Sequence, residues 1–158
     1  MNVLFVCTGN TCRSPMCEGY LKHLCEKTHR DGITVLSAGL FAGGGHPASE
    51  NAARTMKRHG IDLSGFRNRQ LTREMLAEAD TIVVMTRSHR MQIGALDPAA
   101  LPKTRLLLEY AARPGADVAD PFGGSEEIYG SCFTEMKGAL DNLFALLTKE
   151  NSTQSNNP

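Results

Sequence analysis

Apolar positions change their spacing several times along this chain, and each change marks an element. Val3-Leu4-Phe5-Val6 is a short unbroken apolar run with β-branched and aromatic members, as in a strand buried on both faces. It runs into a polar loop, Cys7-Thr8-Gly9-Asn10-Thr11-Cys12-Arg13-Ser14-Pro15. Ser14 followed by Pro15 predicts a helix start, with a capping oxygen and then proline in the first turn. Met16, Tyr20 and Leu24, together with Cys17, Leu21 and Cys25, then recur at helical spacing. Asp31-Gly32 predicts a turn, and 33–36 a second strand ending in Ser37-Ala38-Gly39. A glycine-rich loop, Gly43 to Gly45, leads to a helix over 48–59, stopped by Gly60. After a loop over 61–68, the pattern predicts a short helix over 71–79, a third strand over 81–85 and a helix over 88–96. Pro98 and Pro102 punctuate a loop, and Leu106-Leu107-Leu108 predicts the fourth strand. Residues 110–124 read as loop. Ser125 then caps a long helix with Glu126 and Glu127 in its first turn. Its apolar stripe is Tyr129, Cys132, Phe133, Met136, Leu140, Leu143, Phe144 and Leu147.

Strands alternating with helices predict an α/β fold, an open parallel sheet with helices on both faces. Ligands in such sheets sit beyond the carboxyl ends of the strands. The loop from Cys7 to Ser14 lies at that end of the first strand.

Composition narrows the class. The chain has 158 residues, and its 17 basic and 17 acidic side chains leave no net charge. That removes the electrostatic footprint of a dedicated nucleic-acid binder. The length predicts one domain, residues 1–150, followed by a polar, flexible tail over 151–158. Five cysteines are an odd number with no secreted disulfide pattern. The N-terminus lacks a basic region, its apolar run is too short for a signal peptide, and no stretch reaches the ~18 apolar residues of a membrane span. The expectation is a cytoplasmic, monomeric enzyme or carrier that binds neither membrane nor nucleic acid.

The first loop carries chemistry. Between a strand and a helix N-terminus, its backbone N–H groups can curl inward into an anion nest, reinforced by the helix dipole. Gly9 supplies backbone freedom, and Asn10 tolerates a left-handed conformation. Arg13 offers a planar fork matched to phosphate oxygens. Cys7 falls at the base of the ring, where the N–H groups, the dipole and Arg13 favour its thiolate, and the Ser14 hydroxyl can donate to that sulfur. Thr8, Gly9, Asn10, Thr11, Cys12, Arg13 and Ser14 are thus the expected phosphate-binding residues. Cys12, in the same tight loop, is the candidate redox partner of Cys7. Cys17, Cys25 and Cys132 fall on apolar helix faces and read as core. No second cysteine pair stands at metal-ligand spacing, so no metal or cofactor is expected. A leaving group expelled from phosphorus needs a proton. Asp120, in the loop before the last helix, is the candidate acid, with Asp117 and Asp80 as alternatives. Asp80 precedes a strand and so falls at the wrong end of the sheet.

These residues together resemble the low-molecular-weight phosphotyrosine phosphatase family. The resemblance runs from Val3 to about Leu147 through four ordered motifs: Val6 to Pro15, Ser37-Ala38-Gly39, Arg69-Gln70-Leu71 and Asp120-Pro121. It implies a flavodoxin-like four-stranded parallel sheet and a metal-free, two-step reaction on phosphorylated proteins. Cys7 is the implied nucleophile, Arg13 the phosphate clamp and Asp120 the general acid, with Asn10 and Ser14 holding the loop and the thiolate. Two departures bear on substrate. Thr11 stands where tyrosine-directed members carry a bulky aliphatic residue, and Asp120-Pro121 is followed by Phe122-Gly123-Gly124. That combination, with Met85-Thr86-Arg87-Ser88-His89, resembles the bacterial protein-arginine phosphatase branch. A guanidinium needs hydrogen-bond acceptors where a phenyl ring needs apolar walls, so Thr11 and Phe122 are the expected specificity residues. Phosphotyrosine is the alternative substrate. Two other readings fit less well. A flavin carrier is disfavoured by the absence of tryptophan and of net acidity. A thioredoxin-coupled arsenate reductase needs further cysteines on a mobile segment, and none lies between Cys25 and Cys132.

Overall fold

A computed structural model describes residues 1–154. Four strands, β1 (Asn2–Cys7), β2 (Thr34–Gly39), β3 (Thr81–Val84) and β4 (Thr104–Leu106), form one parallel sheet in the order β2-β1-β3-β4. Five helices connect and cover them: α1 (Arg13–Lys27), α2 (Glu50–Arg58), α3 (Arg73–Glu78), α4 (Arg87–Leu96) and α5 (Glu126–Gln154). This is the predicted open, flavodoxin-like α/β sheet. The expected tail from Asn151 overlaps the end of α5, and 155–158 lie outside the described residues.

Alternation along the strands explains the two layers. Val3, Phe5 and Cys7 of β1, with Val35 and Val83, face a core built by α1, α2 and α5, including Met16, Leu21, Met56, Phe133 and Leu140. Leu4 and Val6, with Ile82, Val84 and Leu106, face a second core with Leu76 of α3 and Ile93 of α4. Caps match the sequence where small polar residues precede helices. Ser49, Thr72, Thr86 and Ser125 each accept a backbone N–H from the first turn that follows. Gly60, at φ 75°, ends α2 in the left-handed conformation that glycine adopts without a Cβ penalty.

Three local predictions are corrected. Ser14 does not cap α1: the helix starts at Arg13, Cys12 occupies the cap position, and no side chain caps it. The Ser14 hydroxyl is bonded to Cys7 and Asn10 instead. The fourth strand covers 104–106, not 106–108. Its only ladder partner, β3, ends at Val84 opposite Leu106, so Leu107 and Leu108 have no strand to pair with. They enter a 3-10 turn over 107–111 and stay fully buried there. The proline-punctuated segment 98–103 is likewise a 3-10 turn rather than open loop.

Candidate active site

The carboxyl end of β1 delivers Cys7 into the loop that leads to α1. Cys7 is 3% exposed, and its Sγ lies 2.9 Å from Ser14 Oγ. Asn10 takes the left-handed conformation, φ 54°, as its residue type allowed. Its fully buried side chain organises the loop. Asn10 Nδ2 donates to Ser14 Oγ at 2.7 Å and to Ser37 Oγ at 2.9 Å, while Oδ1 accepts the Arg69 backbone N–H at 2.9 Å. Beside it, Gly39 permits a close approach. A Cβ there would stand 2.7 Å from the Thr8 carbonyl oxygen and 2.9 Å from the Asn10 nitrogen.

These bonds have a direction. The Ser37 hydroxyl donates to Glu18 Oε2, so its oxygen is left to accept from Asn10. Asn10 in turn donates to Ser14, which leaves the Ser14 proton free for Cys7 Sγ. Glu18 is buried at 4% exposure and held by Lys22 at 2.5 Å and Arg69 at 3.5 Å. Buried Glu18 thus sets the polarity of a hydrogen-bond chain that ends on the Cys7 sulfur.

Arg13 is 4% exposed. Its Nη1 donates to the Val118 carbonyl at 2.8 Å, and Nη2 lies 3.7 Å from Asp120 Oδ2. Nε is buried with no hydrogen-bond partner. Nε and Nη2 form one edge of the guanidinium, the edge that binds two oxygens side by side; Nε there has no protein partner, and Nη2 has the ion-pair contact with the exposed Asp120. Asp120 has a 54% exposed side chain beside it. The alternative acid, Asp117, is held below the usual carboxylate range, first by the Arg87 backbone N–H at 2.9 Å and further by its guanidinium at 3.3 Å. Asp80 accepts the Asn2 backbone N–H at the amino end of β1, away from Cys7 as expected.

The other predicted residues fall as follows. Thr11 is half-buried in the loop, its Oγ1 3.7 Å from Cys12 Sγ. Cys12 is buried, with Sγ 3.1 Å from the Tyr129 hydroxyl and 3.6 Å from Ser49 Oγ. Phe122 is 78% exposed beyond Asp120. Cys17 is fully buried, and burial pushes its thiol up; Cys132 is partly buried and pushed up to about 12 by the same cause. All five thiols are free. Among the described residues, no cluster of three metal-ligating side chains occurs and no helix is long and apolar enough to cross a membrane.

Sequence reasoning passed over Glu18, Asn68 and Phe41. Glu18 had a signal: it follows Ser14 by four residues and precedes Lys22 by four, all on one helical face. Asn68 ties Gly9 O and Ala42 O together with its amide nitrogen, a long-range link with no local signature. Phe41 is 74% exposed, and its backbone N–H donates to Thr8 O at the edge of the loop.

Comparison with known proteins agrees with this geometry. A family model described as low molecular weight phosphotyrosine protein phosphatase matches residues 2–153. The protein-arginine-phosphatase of Geobacillus stearothermophilus is 38% identical over 148 residues, covering 94% of this chain and 97% of its own. The low molecular weight protein-tyrosine-phosphatase Etp of Escherichia coli K12 is 34% identical over 128 residues, 81% of this chain and 82% of its own. A solved structure of the YwlE arginine phosphatase, a Cys-to-Ser mutant with a phosphorylated active-site serine, superposes with a TM-score of 0.89 at 36% identity, covering 94% of this chain and 97% of that one. With a fold match and a family match that each span nearly the whole sequence, the chain belongs to the low molecular weight phosphotyrosine protein phosphatase family.

Proposed function

We propose that the chain is a protein phosphatase that hydrolyses phosphoarginine through a phosphocysteine formed on Cys7. The observation that carries the chemistry is the thiol at the base of the loop, with the Ser14 proton turned toward it and, at the end of the same loop, a buried Arg13 whose Nε has no protein partner. Cys7 Sγ attacks phosphorus, the bond from phosphorus to the leaving group breaks, and Asp120 delivers the proton that the departing nitrogen needs. Water then attacks the phosphocysteine, Asp120 takes up its proton, and the S–P bond breaks to release inorganic phosphate. Arg13 and the loop N–H groups hold the phosphoryl oxygens through both steps. Thr8, Gly9, Asn10, Thr11, Cys12 and Ser14 complete the cradle.

The choice of phosphoarginine over phosphotyrosine rests on Thr11 and on likeness. Among curated relatives, two named protein-arginine-phosphatase cover 94% and 95% of this chain against 81% for the tyrosine phosphatase Etp, whereas a solved structure named a low molecular weight protein tyrosine phosphatase covers 96% of it. The Thr11 hydroxyl and the Asp120 carboxylate offer acceptors to a guanidinium that an aliphatic side chain would not. Initial rates on phosphoarginine and phosphotyrosine peptides of matched sequence test the reading, and faster phosphotyrosine turnover replaces it with the tyrosine one. Thr11→Ile tests the determinant. Both residues are β-branched, so the change removes the hydroxyl with little disturbance of χ1. Losing a hydrogen bond to a charged group costs ~1.5–3 kcal/mol, roughly 10- to 150-fold in rate if felt in the transition state. Phosphoarginine turnover falls by that factor and phosphotyrosine turnover holds or rises. A parallel fall in both indicates a damaged loop, and no change in either removes Thr11 as the determinant.

A further inference from the structure

His89 has no part in the chemistry above, yet it touches the nucleophile loop. It lies in the first turn of α4, where its backbone N–H bonds the capping Thr86 at 3.1 Å. Its side chain is 97% hidden, at 3% residual exposure, and ring Nε2 lies 2.9 Å from Thr8 Oγ1. Nδ1 is buried without a hydrogen-bond partner. Burial, reinforced by the Arg13 guanidinium and opposed by Asp120 and Asp117, brings its pKa down to about 4, so the ring is neutral near pH 7.

A neutral imidazole carries one N–H. On Nδ1, that proton would be a buried donor with no acceptor. On Nε2, it is donated to Thr8 Oγ1, and the orphan is a lone pair. Orphaned buried N–H groups are the rarer case, so the proton belongs on Nε2. Thr8 is exposed, and with its oxygen accepting from His89, its own hydroxyl proton is left for an acceptor outside the protein.

The same turn carries the acid loop. The Val118 N–H donates to Met85 O at 2.9 Å, and Asp117 accepts from the Arg87 N–H. Val118 O in turn receives Arg13 Nη1. The start of α4 therefore grips the nucleophile loop through Thr8 and the acid loop through residues 117 and 118. We propose that His89 is a positioning residue for phosphoryl transfer, fixing Thr8 as a hydrogen-bond donor to the bound phosphorylated side chain and locking the nucleophile loop to the turn that carries the acid loop. The proposal rests on the phosphatase reading.

The test compares His89→Leu, His89→Gln, Thr8→Val and the double variant Thr8→Val/His89→Leu on a phosphoarginine peptide, with thermal midpoints measured alongside. Misalignment of reacting groups by about an ångström costs roughly 100-fold. His89→Leu is expected to lower kcat by about 10- to 100-fold with KM little changed. His89→Gln recovers most of that loss, because its amide N–H can replace the Nε2 donor. The double variant is no slower than the slower single, as for two groups acting through one bond. Multiplying losses, a rise in KM alone, or failure of the glutamine to rescue overturns the proposal. Nitrogen-15 spectra of the wild-type histidines provide a readout that needs no variant to fold, and a proton on Nδ1 of His89 overturns it as well. If the wild type hydrolyses no phosphorylated peptide, the phosphatase reading falls and the proposal with it. If the wild type is active and His89→Leu matches it, the positioning role alone falls.

Discussion

Replacing Cys7 by serine is expected to abolish turnover and leave oxyanion binding in place. The substitution keeps a side chain of similar shape next to Ser14, and it leaves untouched the loop backbone and the Arg13 guanidinium with its unpartnered Nε. What it removes is the thiol, a stronger nucleophile than the hydroxyl that replaces it and, once phosphorylated, a better leaving group. The rate should fall by about three orders of magnitude or more, as when a nucleophile is deleted from other covalent enzymes. Calorimetric titration with inorganic phosphate or tungstate should still show binding within a few-fold of wild type. Slow phosphorylation of the introduced hydroxyl is compatible with this result, since the YwlE structure holds a phosphorylated serine of that kind. In the wild type, acid quench followed by mass spectrometry should trap phosphate on the peptide that contains Cys7. Sustained turnover by Cys7→Ser, or phosphate trapped elsewhere, would remove the mechanism.

Asp120→Asn is expected to harm phosphoarginine hydrolysis more than phosphotyrosine hydrolysis. The change conserves shape, and the Asp120 side chain, 3.7 Å from Arg13, is 54% exposed and open to solvent. The leaving groups differ in how far they depend on that exchange. A phenolate has a conjugate acid of pKa ~10, whereas a guanidine left unprotonated has one of ~12.5 to 13.8. The poorer leaving group draws more on proton donation, which contributes roughly 10²- to 10⁴-fold where it is needed. The loss on a phosphoarginine peptide should lie in that range and exceed the loss on its phosphotyrosine counterpart. Equal losses would mean that Asp120 is not the acid or that chemistry does not limit the rate.

What was legible in the sequence was what depends on local pattern. The buried run from Val3 to Val6, the strand-to-helix loop after Cys7 and the capped helix after Ser125 all announce themselves within a few residues. The left-handed backbone of Asn10 follows from its residue type. Ser14 was misread because a serine before a proline satisfies the rule for a helix cap, while the bond that claims its hydroxyl comes from Cys7, seven residues away. The three leucines from Leu106 read as a strand because burial alone produces that pattern; where β3 stops is not written in them. Glu18, despite sharing a helical face with Ser14 and Lys22, and His89 were not assigned as site residues for a related reason. Each is a polar side chain sunk in an apolar setting, and its partners, Ser37 in one case and Thr8 in the other, come together only when the sheet is assembled.

β1 is hydrogen-bonded on both sides and walled on both faces by separate apolar cores. The acid loop lies on the surface, pinned at Val118 and Asp117 with Asp120 and Phe122 exposed. The two halves of the proposed catalytic machinery therefore belong to regions of different local unfolding free energy. Amide hydrogen exchange should reach Leu4, Phe5 and Val6 only through global opening, while the amides of Ala119, Asp120 and Phe122 exchange through smaller excursions; matching protection in the two groups would contradict this. On heating, the acid is displaced before the nucleophile loop loses its form, so affinity for phosphate should outlast turnover.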